Sequence, residues 1–103
     1  MQKRLYVLID HNLDSIYGCV QGGHVVAQWL LENWSENKEG DPTWDWNNDY
    51  LIYVYANIPK WKERLDILNI DYTEFKEPDL DYQTTALAVL NHDKIFKNLK
   101  LVK

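Results

Sequence analysis

Runs of apolar and polar residues along the chain predict a set of short strands. Apolar and β-branched side chains dominate residues 5–9, 50–56 and 84–90, which is typical of buried strands. Residues 70–75 alternate between apolar and polar side chains, as a half-exposed strand does. Residues 99–102 are short and apolar and predict a last edge strand.

The longest helical pattern starts at Ile16, after a polar turn in which Asp14 or Ser15 is suited to the N-cap, and ends at Asn33 or Trp34. Apolar or small residues recur along it every three or four positions, which predicts one face that packs on a sheet. The residues of this predicted face are Ile16, Val20, Gly23, Ala27, Leu30 or Leu31, and Trp34.

A second helix opens at residues 57–59 and ends at Asn69, and a short helix follows the capping residues 91–93 as far as Phe96. The order β-α-β-α-β-β predicts an α/β fold of two or three layers around a mixed four-stranded sheet. The first two strands are expected to run parallel through a right-handed crossover. With 103 residues, the chain is expected to form one domain.

The composition excludes several classes of protein. Apolar residues make up 46% of the chain and aromatic residues 14%, which argues against disorder. No apolar run approaches the roughly 18 residues that a membrane span needs. The chain opens on a strand-like run rather than a secretory signal, so we expect a cytoplasmic protein without membrane contact. A single cysteine allows no internal disulfide and the histidines lack zinc-type spacing, so no metal or cofactor is predicted.

The charge is acidic overall and unevenly distributed. A net charge of -5 argues against broad, non-specific binding to nucleic acid. The segment 32–49 is strongly acidic, and within it Trp44-Asp45-Trp46 either folds the loop back onto the body or presents a surface to a protein partner or ligand. Basic residues gather near the two ends and would form a local patch if those ends meet. They are Lys3, Arg4, Lys94, Lys97, Lys100 and Lys103.

Two segments carry polar groups that a hydrophobic core does not explain. Gln21 and His24 are neighbours on the surface of the first helix. Asp79, Thr84 and Thr85 lie in a stretch that leads from a loop into a strand. In a β-α-β arrangement such a loop approaches the start of a neighbouring helix, so we expect these groups to meet. Together they can polarise a carbonyl or activate a water for ester hydrolysis.

Each of these residues also has a structural interpretation. A lone helical histidine such as His24 is often a half-buried packing residue, and Asp79 after Pro78 is an ordinary turn residue. The two threonines are good strand formers whatever the function. Gly22 and Gly23 each cost roughly 1 kcal/mol in a helix relative to alanine. This cost predicts close approach by the loop around Asp79 or by a ligand.

The two segments resemble the type II peptidyl-tRNA hydrolase family, which has a helix with a Gln-x-x-His-Ala pattern and a loop that starts with Asp and leads into a Thr-containing strand. The matching residues are Gln21-Gly22-Gly23-His24-Val25 and Glu77-Pro78-Asp79-Leu80-Asp81-Tyr82-Gln83-Thr84-Thr85-Ala86. The order of elements agrees from about Arg4 to Val89. Where the family typically has Gly-Lys-Gly-Lys, this chain has Asp14-Ser15-Ile16-Tyr17, and the family's Asp-Ala-Gly turn is Asp79-Leu80-Asp81.

The resemblance implies hydrolysis of the ester that links a peptide to tRNA, without a metal or cofactor, by an α/β domain that often forms dimers. It implies site roles for Gln21, His24, Asp79 and either Thr84 or Thr85. Asp79 or His24 would act on the hydrolytic water, Gln21 and the threonine would orient the ester, and terminal lysines would contact tRNA phosphate. The alternative is a catalytically inactive module on the same fold that binds a protein or small ligand. Its aromatic and acidic surface would be Trp44, Asp45 and Trp46.

Overall fold

The computed structural model describes residues 3–102 and contains a mixed, open sheet of four strands. The strands are β1 (Arg4–Asp10), β2 (Tyr50–Ala56), β3 (Thr73–Glu77) and β4 (Gln83–Leu90). They lie in the order β2-β1-β4-β3, with β1 parallel to β2 and β4 antiparallel to both of its neighbours. The mixed four-stranded sheet and the parallel first pair are therefore confirmed.

Helices cover both faces of the sheet and make three layers. They are α1 (Ser15–Asn33), α2 (Pro42–Trp46), α3 (Ile58–Ile67) and α4 (Asp93–Phe96). The first two pack on one face and the last two on the other. The short α2 lies where the sequence predicts only a loop. Within the described part of the chain, no helix has both the length and the apolar character needed to cross a membrane.

Two predicted strands differ from the observed ones. The third starts at Thr73 rather than residue 70 and continues to Glu77, because residues 70–72 lead out of α3 without pairing. The predicted edge strand is reduced to a single antiparallel bridge between Val54 and Leu101. The bridge nevertheless covers part of the outer edge of β2.

Side-chain caps start the two longer helices. The Asp14 carboxylate accepts the Tyr17 backbone N–H at 2.9 Å, so Asp14 rather than Ser15 is the N-cap of α1. Asn57 accepts the Lys60 backbone N–H at 3.2 Å at the start of α3. These caps satisfy N–H groups that the helix itself leaves without partners.

The predicted packing face of α1 is wrong, because the helix rests on the sheet through its opposite side. Most of the predicted apolar stripe faces solvent, and Ile16 and Leu31 are each 80% exposed. The buried residues of α1 are Gly18, Gln21, Gly22, Val25 and Trp29. Apolar periodicity misses this face because two of its members are glycines and one is an amide.

Gly22 shows why the glycine face lies inward. A Cβ atom added at Gly22 would lie 2.6 Å from Cε2 of Tyr53 and 3.1 Å from Cγ1 of Val7. A Cβ atom at Gly23 would meet nothing within 4 Å. Of these two glycines, therefore, only Gly22 is closely approached, by β1 and β2. Gly18 lies on the same face, where an added Cβ atom would be 2.7 Å from Cγ2 of Ile9. The expectation that the loop around Asp79 makes this approach is wrong, and approach by a ligand stays a prediction for the open side at Gly23.

Candidate functional site

Three residues of α1 form a row along the flank that faces β3 and β4. Tyr17, Gln21 and His24 lie four and three positions apart, which places them on one side of the helix. Each of them contacts one residue of the two strands. The contacts, in order along α1, are Tyr17 with Glu77, Gln21 with Thr85, and His24 with Phe75.

The Gln21–Thr85 hydrogen bond joins α1 to β4. The Thr85 hydroxyl donates to Oε1 of Gln21 at 2.5 Å, and the two residues are 64 positions apart in the chain. Gln21 is 1% exposed and Thr85 is fully buried. A buried polar group without a partner costs about 1–3 kcal/mol, so this bond stabilises the contact between helix and strand. Because Gln21 is buried, it acts on a surface-bound ligand only by positioning its neighbours.

A β-bulge determines which of the two threonines faces α1. Ala86 faces α1, so regular alternation along β4 would place Thr84 on that face and Thr85 on the other. Instead, Phe75 pairs with Ala86 while Lys76 pairs with Thr84, which leaves Thr85 as the extra residue. Thr85 therefore turns toward α1, and Thr84 lines a cavity of about 360 Å³ beside α3.

Tyr17 and two acids form the end of the row nearest the start of α1. The Tyr17 phenol lies beside the carboxylate of Glu77, which is buried at the end of β3. Asp79 lies two residues further on, exposed in the 3-10 turn Pro78–Leu80. Desolvation and the nearby charges of Glu77 and Asp79 raise the pKa of the Tyr17 phenol. The phenol is therefore a stable hydrogen-bond donor at this position.

His24 forms the other end of the row. Its ring is stacked on Phe75, with the ring centroids 4.6 Å apart and the planes 8° from parallel. His24 is an exposed residue, although one face of its ring is covered by Phe75. The seven positions between Tyr17 and His24 correspond to about 10 Å along the helix axis. Asp79 and His24 therefore lie at two ends of one surface patch, so the expectation that they meet is wrong.

Sequence reasoning missed three groups at this edge of the sheet. Asp10, at the end of β1, is buried, and its carboxylate accepts the Asn12 backbone N–H at 2.9 Å and Nε2 of Gln83 at 3.3 Å. Tyr17 and Glu77 are the other two. Asp10 and Glu77 could have been found from the order of the strands, since β1 and β3 both end at this edge of the sheet. Residues that follow buried strands at one edge are good candidates for a site.

Comparisons with known proteins give no independent assignment. No model of a known protein family matches this chain, and no curated protein matches it significantly. Among residues 3–102, no cluster of three or more His, Cys, Asp and Glu side chains could hold a metal ion. A functional assignment therefore rests on the residues of the patch and their geometry.

The basic residues at the start of the chain lie away from this patch. Arg4 begins β1 and Asp10 ends it, so the two are about 20 Å apart. The Arg4 guanidinium pairs with Asp93, and Nζ of Lys3 lies 3.4 Å from a carboxylate oxygen of Asp45. The two ends do meet, and phosphate contacts by the terminal lysines stay a prediction for a part of tRNA that lies away from the ester. Lys103 lies outside the described residues.

The Trp44-Asp45-Trp46 segment is only partly available to a partner. Trp46 is buried, and its indole N–H donates to the Tyr50 carbonyl oxygen at 2.9 Å. The prediction of a contact surface is therefore wrong for Trp46, which belongs to the core. Trp44 remains 37% exposed while its indole N–H donates to the Ser35 carbonyl oxygen at 3.1 Å. The segment folds the loop back and leaves one indole at the surface.

The buried Gln21–Thr85 hydrogen bond is expected to contribute to the stability of the fold. We expect Thr85→Val to lower the free energy of unfolding by about 1–3 kcal/mol, because Oε1 of Gln21 loses its donor. Gln21→Leu is expected to cost a similar amount. The double variant removes both partners, so its loss is expected to be smaller than the sum by at least about 0.5 kcal/mol. Urea unfolding of the four proteins measures this difference, and strictly additive losses would contradict the pairing.

Proposed function

We propose that this chain is a type II peptidyl-tRNA hydrolase-like protein and that it hydrolyses the ester between a peptide and tRNA. The observation that carries the proposal is the Gln21–Thr85 hydrogen bond, which brings together two motifs that lie 64 positions apart. The order of strands and helices also agrees with the order that the resemblance implies. Dimer formation and a cytoplasmic location stay predictions.

The exposed groups of the patch suit an attack by water on an ester. In the proposed reaction, the Asp79 carboxylate accepts a proton from a water, and the water oxygen bonds to the ester carbonyl carbon. The bond between that carbon and the ribose oxygen then breaks, and the proton held by Asp79 passes to the ribose oxygen, which leaves as the tRNA hydroxyl. His24 donates a hydrogen bond to the substrate at the far end of the patch. Gln21 and Thr85 lie beneath and fix α1 against β4.

A non-catalytic binding module is the second candidate, and the Tyr17–Glu77 contact favours it. The resembled family has lysine near this position, where a cation attracts phosphate or a developing oxyanion. Here a neutral phenol takes that place and lies beside the Glu77 carboxylate. The buried Asp10 and the exposed Asp79 add negative charge at the same edge. If this candidate is correct, the folded protein releases peptide from tRNA no faster than buffer does.

His24→Phe separates a polar role of His24 from a packing role. Phenylalanine keeps the stack on Phe75 but removes both ring nitrogens, so the folded structure is expected to persist. We expect kcat/KM for peptide release from N-acetyl-aminoacyl-tRNA to fall about tenfold, the loss of about one hydrogen bond to substrate. His24→Ala is the companion variant, which removes the stack as well.

The two variants give distinguishable results. If His24 serves only to pack, His24→Phe hydrolyses the substrate at the wild-type rate while His24→Ala is less stable. This result would remove His24 from the proposed site. Circular dichroism melting of each variant ensures that a loss of rate is not a loss of fold.

A further inference from the structure

An apolar groove lies on the flank of α1 that is opposite the Tyr17–His24 row. It runs between the second half of α1, α2 and the start of β2, and its volume is about 420 Å³. Its main apolar walls are Leu30, Trp34 and Leu51, which are 38%, 55% and 45% exposed. Trp46 forms a buried floor and packs edge-on against Trp29 with the ring centroids 5.7 Å apart. The groove is therefore a fixed depression with exposed apolar rims.

Hydrogen bonds to the Asp41 carboxylate hold the α2 side of the groove in place. The Asp41 carboxylate accepts the backbone N–H groups of Ser35 at 2.6 Å and Thr43 at 2.8 Å. Burial raises the pKa of Asp41, but hydrogen bonds from Thr43 and Ser35 outweigh burial and leave that pKa below its ordinary value. The start of α2, which carries Trp44, is thus tied to the end of α1. A preformed wall lowers the entropy cost of binding.

The groove continues into the outward face of α1. This face carries the exposed side chains of Ile16, Val20 and Leu31, and the helix contains no Asp, Glu, Lys or Arg before Glu32. A surface helix normally turns its charged residues toward solvent. A contiguous apolar surface of this kind typically marks a contact with another molecule. The 19 residues of α1 extend for about 28 Å, which is long enough to contact a partner helix of five turns.

The surroundings of the groove are negatively charged. The segment 32–49 carries six carboxylates and a single lysine, Lys38. The Lys38 ammonium already lies over the Trp44 ring, 4.5 Å from its centroid. Asp45 and Asp49 are next in sequence to residues that line the groove, and Glu36 is exposed. Lys3 offsets part of this charge, because its ammonium pairs with Asp45 and its backbone N–H donates to Asp49. A partner that complements this field carries Lys or Arg beside its apolar side chains.

We propose that the groove and the outward face of α1 bind a basic amphipathic helix of a partner protein. Its large apolar side chains would enter the groove, and its Lys and Arg side chains would face the acidic segment, as in other helix-in-groove complexes. A second copy of this chain fits less well, because each copy carries a net charge of -5 and would bring like charges together. The groove itself does not depend on the hydrolase proposal, since it lies on the flank of α1 that is opposite the Tyr17–His24 row.

A synthetic peptide tests the proposal. The probe is a fluorescein-labelled helix of about 18 residues with leucines on one side and lysines elsewhere. Fluorescence anisotropy with the full chain, at about 0.15 M salt, is expected to show saturable one-to-one binding. Trp34→Ala is expected to weaken it at least about tenfold. Ile67→Ala is the matched control, because Ile67 is also exposed but lies at the end of α3 on the opposite face.

Two further peptides separate the charged from the apolar contribution to binding. Replacement of the lysines by glutamates is expected to abolish binding, and replacement of the leucines by serines is expected to do the same. Binding of the glutamate peptide as tightly as the lysine peptide, equal affinities of the Trp34→Ala and Ile67→Ala variants, or no saturable binding would each overturn the proposal. A dimer in sedimentation velocity that Trp34→Ala removes would assign the groove to a second copy and would overturn it as well.

Discussion

Gly22→Ala and Gly23→Ala are expected to change the stability of this protein in opposite directions. Both glycines lie inside α1, and alanine there gains about 1 kcal/mol of helix propensity at each position. At Gly22 the new methyl group would overlap Tyr53 and crowd the buried Val7, at the short distances given above. Overpacking of this kind typically costs about 1–3 kcal/mol. At Gly23 the methyl group enters open space, so the gain remains.

The comparison isolates the contact of α1 with the sheet, because the propensity gain is common to both variants. We expect Gly23→Ala to exceed Gly22→Ala by about 1–3 kcal/mol in the free energy of unfolding. Each kcal/mol corresponds to a shift in Tm of about 4–8 °C for a domain of this size. Thermal and urea unfolding measure both quantities. Equal stabilities would mean that Gly22 does not lie against β1 and β2.

Asp79→Asn is expected to produce the largest loss of activity if the chain is a hydrolase. The amide has nearly the same shape as the carboxylate but cannot accept a proton from water. Removal of a general base typically lowers the rate by about 10²–10⁴-fold. Asp79 is exposed, so this variant is expected to keep the fold and its Tm.

Asp81→Asn is the matched control for this loss. Asp81 lies two residues away, is also exposed, and has a backbone φ of 56°, a left-handed conformation that asparagine adopts readily. Both substitutions remove one negative charge from the same turn. Their effects on the attraction of tRNA are therefore similar. A difference between the two rates measures the contribution of Asp79 as the proton acceptor. Similar rates for the two variants would contradict the role proposed for Asp79.

The strands were predictable from the sequence because two of them are buried on both faces. In β1, Leu5, Val7 and Ile9 pack under α1 while Tyr6 and Leu8 pack under α3, so the whole run is apolar. The helix caps were predictable for a similar reason, since a side chain such as Asp14 acts on backbone groups a few residues away. The local sequence pattern is sufficient to predict a strand that is buried on both faces, or a helix cap formed by a neighbouring residue.

The orientation of α1 was not predictable by the same means. Apolar periodicity selects the face with the most hydrophobic side chains, and that face includes Ile16 and Leu31. The helix instead buries the face that carries Gly18 and Gly22, because these glycines allow the backbone to approach β1 and β2. The stripe that the sequence assigns to the core is the surface that we propose for a partner.

The choice between the two threonines also depends on a feature that sequence pattern does not reveal. A bulge at Thr85 reverses the alternation along β4, so Thr85 rather than Thr84 meets Gln21. No glycine or proline marks the bulge in this strand. The Tyr17–Glu77 contact is hidden in the same way, since it joins two segments through tertiary packing. Both features required the register of β3 against β4.

The most direct test of the proposed function is the initial rate of peptide release from N-acetyl-aminoacyl-tRNA by the wild-type, Asp79→Asn and Asp81→Asn proteins. The proposal predicts release by the wild type well above the rate in buffer, an Asp81→Asn rate within about twofold of wild type, and an Asp79→Asn rate at least about 10²-fold lower. A wild-type rate equal to that in buffer, from protein with an intact thermal transition, would contradict the hydrolase and favour the binding module.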